Sequence, residues 1–190
     1  MTTKIALSKN SGVVLIMALI MLVIISLLSV TTMRNATNTE SIVNTVRTGN
    51  LAQQAAELAL RHCEGSVVSL MEIAKGNTST FVTTFPNSRI LPPSTTPRWQ
   101  NITAWDAASP TSTFVLPIAL VNQAALTSTY RRAPECMVEQ VSVLQAGTST
   151  VNSTSTFIVT ARGFGPEVTA GTGRPQGSEI WLQSLIELED

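Results

Sequence analysis

The sequence predicts an α+β fold, in which one long N-terminal helix packs its second half on a C-terminal antiparallel sheet. Three observations carry that reading. An apolar run extends from Gly12 to Val30 with no charge and only Ser26 and Ser29 polar. No proline occurs before Pro86, so nothing breaks a helix begun at Val13. The last third of the chain alternates apolar and polar residues in runs separated by Gly, Thr, Ser and Pro, the pattern of strands and hairpin loops.

The apolar run places Val13, Val14, Leu15, Ile16, Met17, Leu19, Ile20, Leu22, Ile24, Leu27 and Leu28 in a membrane-spanning segment, 13–30. A spanning helix needs about 17–25 such residues. Ser26 and Ser29 can each return a hydrogen bond to a carbonyl one turn back, which a helix in lipid tolerates. Lys4 and Lys9 precede the span, which keeps the N-terminus in the cytoplasm and exports the C-terminal part of the chain. A cleaved secretory signal fits less well. Its apolar core spans about 7–15 residues and ends in an Ala-x-Ala site, whereas this run is longer and leads into more helix.

Residues 31–75 read as a continuation of that helix. Thr31 to Asn50 is Thr-rich, and Gly49-Asn50 is a weak point costing about 1 kcal/mol. Leu51 to Arg61 is strong helix, with Leu51, Ala55, Leu58 and His62 on one face and Ala59 beside them. Glu57 and Arg61 pair at i,i+4. Val67, Leu70, Met71 and Ala74 carry the stripe to a stop at Lys75-Gly76-Asn77. A helix from Val13 to Lys75 would be about 90 Å long.

Residues 76–190 form the expected globular domain. Ser79–Phe85, alternating Phe81, Thr83 and Phe85, predicts a first strand, and Pro86–Pro97 an extended connection. Trp99 and Trp105 are expected to anchor the core. Pro117 makes 113–121 an edge strand or irregular, and 124–130 a short helical turn. Three antiparallel strands come next at 137–144, 156–163 and 180–188, with Phe157, Val159 and Ala161 on one face of the second. They are joined by loops at 146–155 and 163–177. Two cysteines, Cys63 and Cys136, lie downstream of the export segment. They form one disulfide, or remain two buried thiols. A bridge would staple helix to sheet and contribute roughly 4–5 kcal/mol.

A basic, polar leader that ends in Gly12 directly before the apolar run resembles the signal of type IV pilins and pseudopilins. Further pieces are Val-Val-Leu-Ile-Met-Ala-Leu (13–19), Val-Thr-Thr-Met-Arg (30–34), Arg-Thr-Gly-Asn-Leu-Ala-Gln-Gln-Ala-Ala-Glu-Leu-Ala-Leu-Arg (47–61), Pro-Glu-Cys-Met-Val-Glu (134–139), Phe-Ile-Val-Thr-Ala-Arg-Gly-Phe-Gly (157–165) and Ile-Trp-Leu-Gln-Ser (180–184). Together they are similar to the PilX family of minor type IV pilins over 12–75 and 130–185, with 76–129 unmatched. The resemblance implies a pilin-like fold and a leader, 1–12, cut after Gly12 by a prepilin peptidase. It also implies N-methylation of Val13 and a helix that moves from the inner membrane into a filament core. Most pilins carry Glu five residues into the mature chain, where this one has Met17. That departure implies a minor subunit, placed with other minor pilins and a large tip adhesin in a complex that primes the filament, with no cofactor. A type II secretion pseudopilin of the kind lacking that Glu is larger.

Net charge is zero and charged residues are 13 %, so no basic stripe is available for nucleic acid. Nothing predicts an enzyme. The one histidine, His62, adjoins Cys63, but neighbours on a helix project about 100° apart. The glycines at 163, 165, 171, 173 and 177 read as loop, not as a phosphate cradle. No metal-ligand spacing is present, and Glu187, Glu189 and Asp190 read as a solvated tail. The sequons at Asn35, Asn77, Asn101 and Asn152 are those expected in a Thr-rich chain. Two other classes compete: a membrane-anchored periplasmic binding or adhesion module that joins no filament, and an exported hydrolase using Cys63.

Overall fold

The computed structural model describes residues 11–81, 84–107, 109, 111–122, 129–144, 151–152 and 155–188. Lys4, Lys9, Thr83, most of the expected turns at 124–130 and 146–155, and the tail residues Glu189 and Asp190 lie outside the described residues. One helix, α1 (Ser11–Ala74), accounts for the N-terminal part of the chain. The chain divides into two compact units, the first ending at Asn44 and the second beginning at Thr45.

In the first unit the side chains of Val13 through Leu28 are exposed along α1. Among the described residues α1 is the one helix long and apolar enough to cross a membrane, by length and composition. Four of its hydroxyls donate back to carbonyls within the helix. Ser26 Oγ donates to the Val23 carbonyl at 2.8 Å and Ser29 Oγ to the Ile25 carbonyl at 3.0 Å. Thr31 and Thr32 do the same towards Leu28. These four hydroxyls therefore present no unpaired donor to an apolar solvent.

The second unit is built on the rest of α1 and a mixed sheet. Its strands are β1 (Ile90–Leu91), β2 (Phe114–Val115), β3 (Glu135–Gln140), β6 (Thr156–Phe164) and β7 (Glu179–Glu187), with β4 (Val143–Leu144) and β5 (Val151–Asn152) forming a separate hairpin. Two single-turn helices, α2 (Ile102–Trp105) and α3 (Ile118–Val121), lie in the connections. The order is β1-β3-β6-β7, with β2 also on β3. β3, β6 and β7 run antiparallel, Cys136 opposite Ala161 and Ala161 opposite Leu182. The expected 137–144 strand is split: the Val141 N–H donates to the Thr156 carbonyl beyond the end of β3.

The sheet is not purely antiparallel as expected, because β1 pairs parallel to β3 through Ile90↔Val138. β6 covers one edge of β3 over its whole length, so β1 and β2 share the other edge, at 138–139 and 135–136. Arg89 Nη1 ties them together by donating to the Thr113 carbonyl at 3.0 Å. The segment 86–97, expected to be connection only, thus carries a strand. The strand expected at 79–85 is absent from its described residues. Phe85 is buried in the core, and Phe81 lies over Gly65 of α1. Phe81 packs its ring against α1, and Phe85 places its ring in the core and against Phe114.

The core lies between α1 and the sheet. Ala59, Cys63 and Val67 meet Val138, Phe157, Val159 and Ala161, all fully buried. The buried stripe of α1 is Ala52, Ala55, Ala56, Ala59, Cys63 and Val67, while Leu51, Leu58 and His62 are half-buried at its flanks. This corrects the face read from the sequence. The cause is Gly163 on β6: a Cβ there would stand 2.7 Å from Ala56 Cα and closer still to Ala56 N and Ala52 O. Backbone approaches backbone so closely that only alanines fit between them. The second compact unit begins at Thr45 and includes this part of the helix, which supplies one wall of the core.

α1 stops as the sequence dictates. Gly76 takes φ +84°, its N–H donates to the Ile73 carbonyl, and the Asn77 N–H donates to the Glu72 carbonyl at 2.9 Å. That pair of bonds is the Schellman arrangement, for which glycine is favoured.

Candidate functional site

The residues singled out for membrane insertion and processing are all on α1. Gly12 and Val13 lie in its first turn, and Met17 comes one turn later with its side chain exposed. Cys63 and Cys136 are joined in a disulfide with Cα atoms 6.7 Å apart, linking α1 to β3. Cys63 in that state offers no thiolate, which the hydrolase alternative requires. His62 is half-buried between the rings of Phe81, 5.7 Å away, and Phe114, stacked at 6.1 Å. Burial holds its pKa below the ordinary histidine value, and its Nε2 has no partner among the described residues. Among the described residues no group of three or more His, Cys, Asp or Glu side chains is placed to hold a metal ion.

The sheet face turned away from α1 carries the polar chemistry. Register places Glu135, Met137 and Glu139 of β3, Arg162, Thr160 and Ile158 of β6, and Trp181, Gln183 and Leu185 of β7 on it. Residues 98–105 lie over this face, with Trp105 fully buried, its indole N–H donating to the Trp99 carbonyl at 3.0 Å. Trp99 itself is only half-buried, so of the two tryptophans expected in the core one is there. β6 is consequently covered on both sides.

Arg162 is the centre of this face and is fully buried. Its guanidinium donates to Glu135 Oε1 from Nε at 2.9 Å and from Nη2 at 2.6 Å. Nη1 reaches Asp106 Oδ1 at 2.8 Å and Glu179 Oε1 at 3.3 Å. It also sits 5.4 Å from the ring of Trp105, 5.1 Å from Trp181 and 5.2 Å from Phe164. Burial works to lower its pKa, but Glu135, Asp106 and Glu179 outweigh that and raise it, so the cation is secure. Arg132 adds a second cation, 3.6 Å from Glu135 and 4.4 Å over the Phe164 ring. The Arg162 pairs fasten Asp106 and the start of β7 to β3 and β6.

The sequence pointed to none of this cluster. The one available signal was that Arg162 stands out of phase with Phe157, Val159 and Ala161, which placed it on the opposite face. It did not show that the face is covered.

Two open grooves flank Trp99. One, of about 370 Å³, lies between the segment 93–97 and the ends of β3 and β6, with Glu139 in its lining. The other, also about 370 Å³, lies between Trp99 and Ile102 on one side and Trp181 and Gln183 on the other.

No family model, no curated protein and no solved structure matches the chain.

Proposed function

We propose that this chain is a minor type IV pilin of the PilX type, matured by cleavage after Gly12 and methylation of Val13. It takes part in filament biogenesis within a minor-pilin complex that primes assembly and stays at the tip. The observation that supports this reading best is the continuity of α1. The exposed apolar stretch 13–30 and the buried alanine face from Ala52 to Ala59 belong to one unbroken helix, Ser11–Ala74. A subunit held first in lipid and then in a bundle of helices needs a backbone satisfied internally in both settings, and a helix provides it. Met17, where most pilins have Glu, withholds the carboxylate that would compensate a neighbour's N-terminal amine. That absence favours an end position over the repeating shaft. The first subunits of a filament lack neighbours, and a preassembled set of minor subunits supplies them.

Intact-mass measurement with N-terminal fragmentation, on protein purified from its native membrane, tests the proposal. A chain beginning at Val13 with one added methyl group is the expected result, and Gly12→Ala is expected to abolish it and piliation together. A chain beginning at Met1 overturns the pilin reading in favour of a simple anchored module.

A further inference from the structure

We propose that the groove beside Glu139 binds an alkylammonium or alkylguanidinium group, the chemistry of a lysine or arginine side chain. Glu139 is only 5 % exposed. Its Oε2 accepts the Arg98 backbone N–H at 3.0 Å, while its Oε1 has no hydrogen-bond partner among the described residues. The cation nearest in sequence to that contact does not serve it: Arg98 Nη1 donates instead to the Pro92 carbonyl at 2.8 Å. Across the sheet Glu139 faces Ile158, which is apolar. A carboxylate buried with one neutral donor and no cation is costly, and a bound cation with hydrogen-bond donors removes the cost.

The groove that Glu139 lines has the remaining features such a ligand needs. Pro93, Pro97, Trp99, Val141 and Ile158 line it and offer apolar surface for an alkyl stem. The ring of half-buried Trp99 attracts a cation on its face. The Arg162 cluster differs. There each cation has its carboxylate within the chain. This assignment stands on the groove alone and does not depend on the pilin reading.

The test uses the full chain, 15N-labelled, in micelles of an uncharged detergent at neutral pH. n-Butylammonium chloride is titrated while the Trp99 indole and the Val141 and Ser142 amides are followed by NMR. The expected result is a saturable shift confined to these groups. n-Butanol, of the same shape without the charge, is expected to bind at least about tenfold more weakly, and Glu139→Gln to lose about tenfold or more in affinity for the ammonium. Gln keeps an oxygen for the Arg98 N–H, and unmoved Trp105 and Trp181 indole signals report that the variant is folded. Binding of Nα-acetyl-lysine methylamide alongside butylammonium assigns the groove to a protein side chain. Its failure where butylammonium binds assigns the groove to a free amine. Equal binding of butanol, unchanged affinity in Glu139→Gln, or no shift at these groups overturns the proposal.

Discussion

Replacing Gly163 by alanine adds one methyl group at the tightest point between helix and sheet. The new carbon would stand 2.7 Å from Ala56 Cα and nearer still to Ala56 N and Ala52 O. Ordinary carbon contacts lie at about 3.5–4.0 Å, so helix and strand must separate by about 1 Å. The obstructing atoms are helix backbone, and no side chain can rotate away to make room. Overpacking of this kind costs about 1–3 kcal/mol, and more where nothing yields. The separation also loosens Ala52, Ala55, Ala56 and Ala59 from the sheet, so a loss of about 3 kcal/mol or more is expected. Gly49→Ala provides the opposite sign. Gly49 lies inside α1 with nothing within 4 Å of an added Cβ. Removing a helix-interior glycine there stabilises by about 0.5–1 kcal/mol. Urea unfolding of the full chain in an uncharged detergent, followed by tryptophan fluorescence, compares the two midpoints with that of the unaltered protein. An unchanged midpoint for Gly163→Ala, or a lower midpoint for Gly49→Ala than for Gly163→Ala, would refute the close-approach argument.

Arg162→Met leaves Glu135, Asp106 and Glu179 facing one another without their shared cation. The same urea assay should show a loss of about 3–5 kcal/mol. Cys63→Ala opens a bridge spanning 73 residues. It should cost about 4 kcal/mol in the chain-entropy account, and reductant should bring the unaltered protein to the same midpoint. His62 gives a pH dependence: its folded pKa lies below the ordinary 6.5. As pH falls below that value the unfolded chain takes up a proton that the folded chain refuses, so stability declines until the lowered pKa is reached. Urea midpoints measured across that range should fall on acidification, with a flatter profile in His62→Gln.

Much of the architecture was legible because it is written in adjacent residues. The length and polarity of the run from Gly12 to Val30, the missing prolines before Pro86 and the Lys75-Gly76-Asn77 stop are local properties, and α1 with its glycine end results from them. Alternation of Phe157, Val159 and Ala161 likewise fixed the inner face of β6. Where local signals were weak, the reading failed. Phe81 and Phe85 look like strand residues but use their rings against α1 and the core. The Pro-rich 86–97 hides a two-residue strand whose partner lies far along the chain. Helical periodicity put Leu51, Leu58 and His62 on a face with Ala55, because it favours large apolar residues. The actual seam takes the small ones, since a glycine opposite leaves no more space.

The sequence alone therefore determined an α+β chain with an apolar helix able to cross a membrane, and it placed one cysteine in the helix and one in a strand, the bridge between them being shown by the structure. Those features depend on propensity and periodicity within a single element. Only the tertiary structure decided that β1 runs parallel beside β3, that Arg162 gathers carboxylates from 17 to 56 residues away, and that Glu139, which lines a groove, keeps one buried oxygen without a hydrogen-bond partner among the described residues. Each of these depends on which distant groups arrive at the same place. Charge and edge pairing are set by that arrival, and no run of neighbouring residues encodes it.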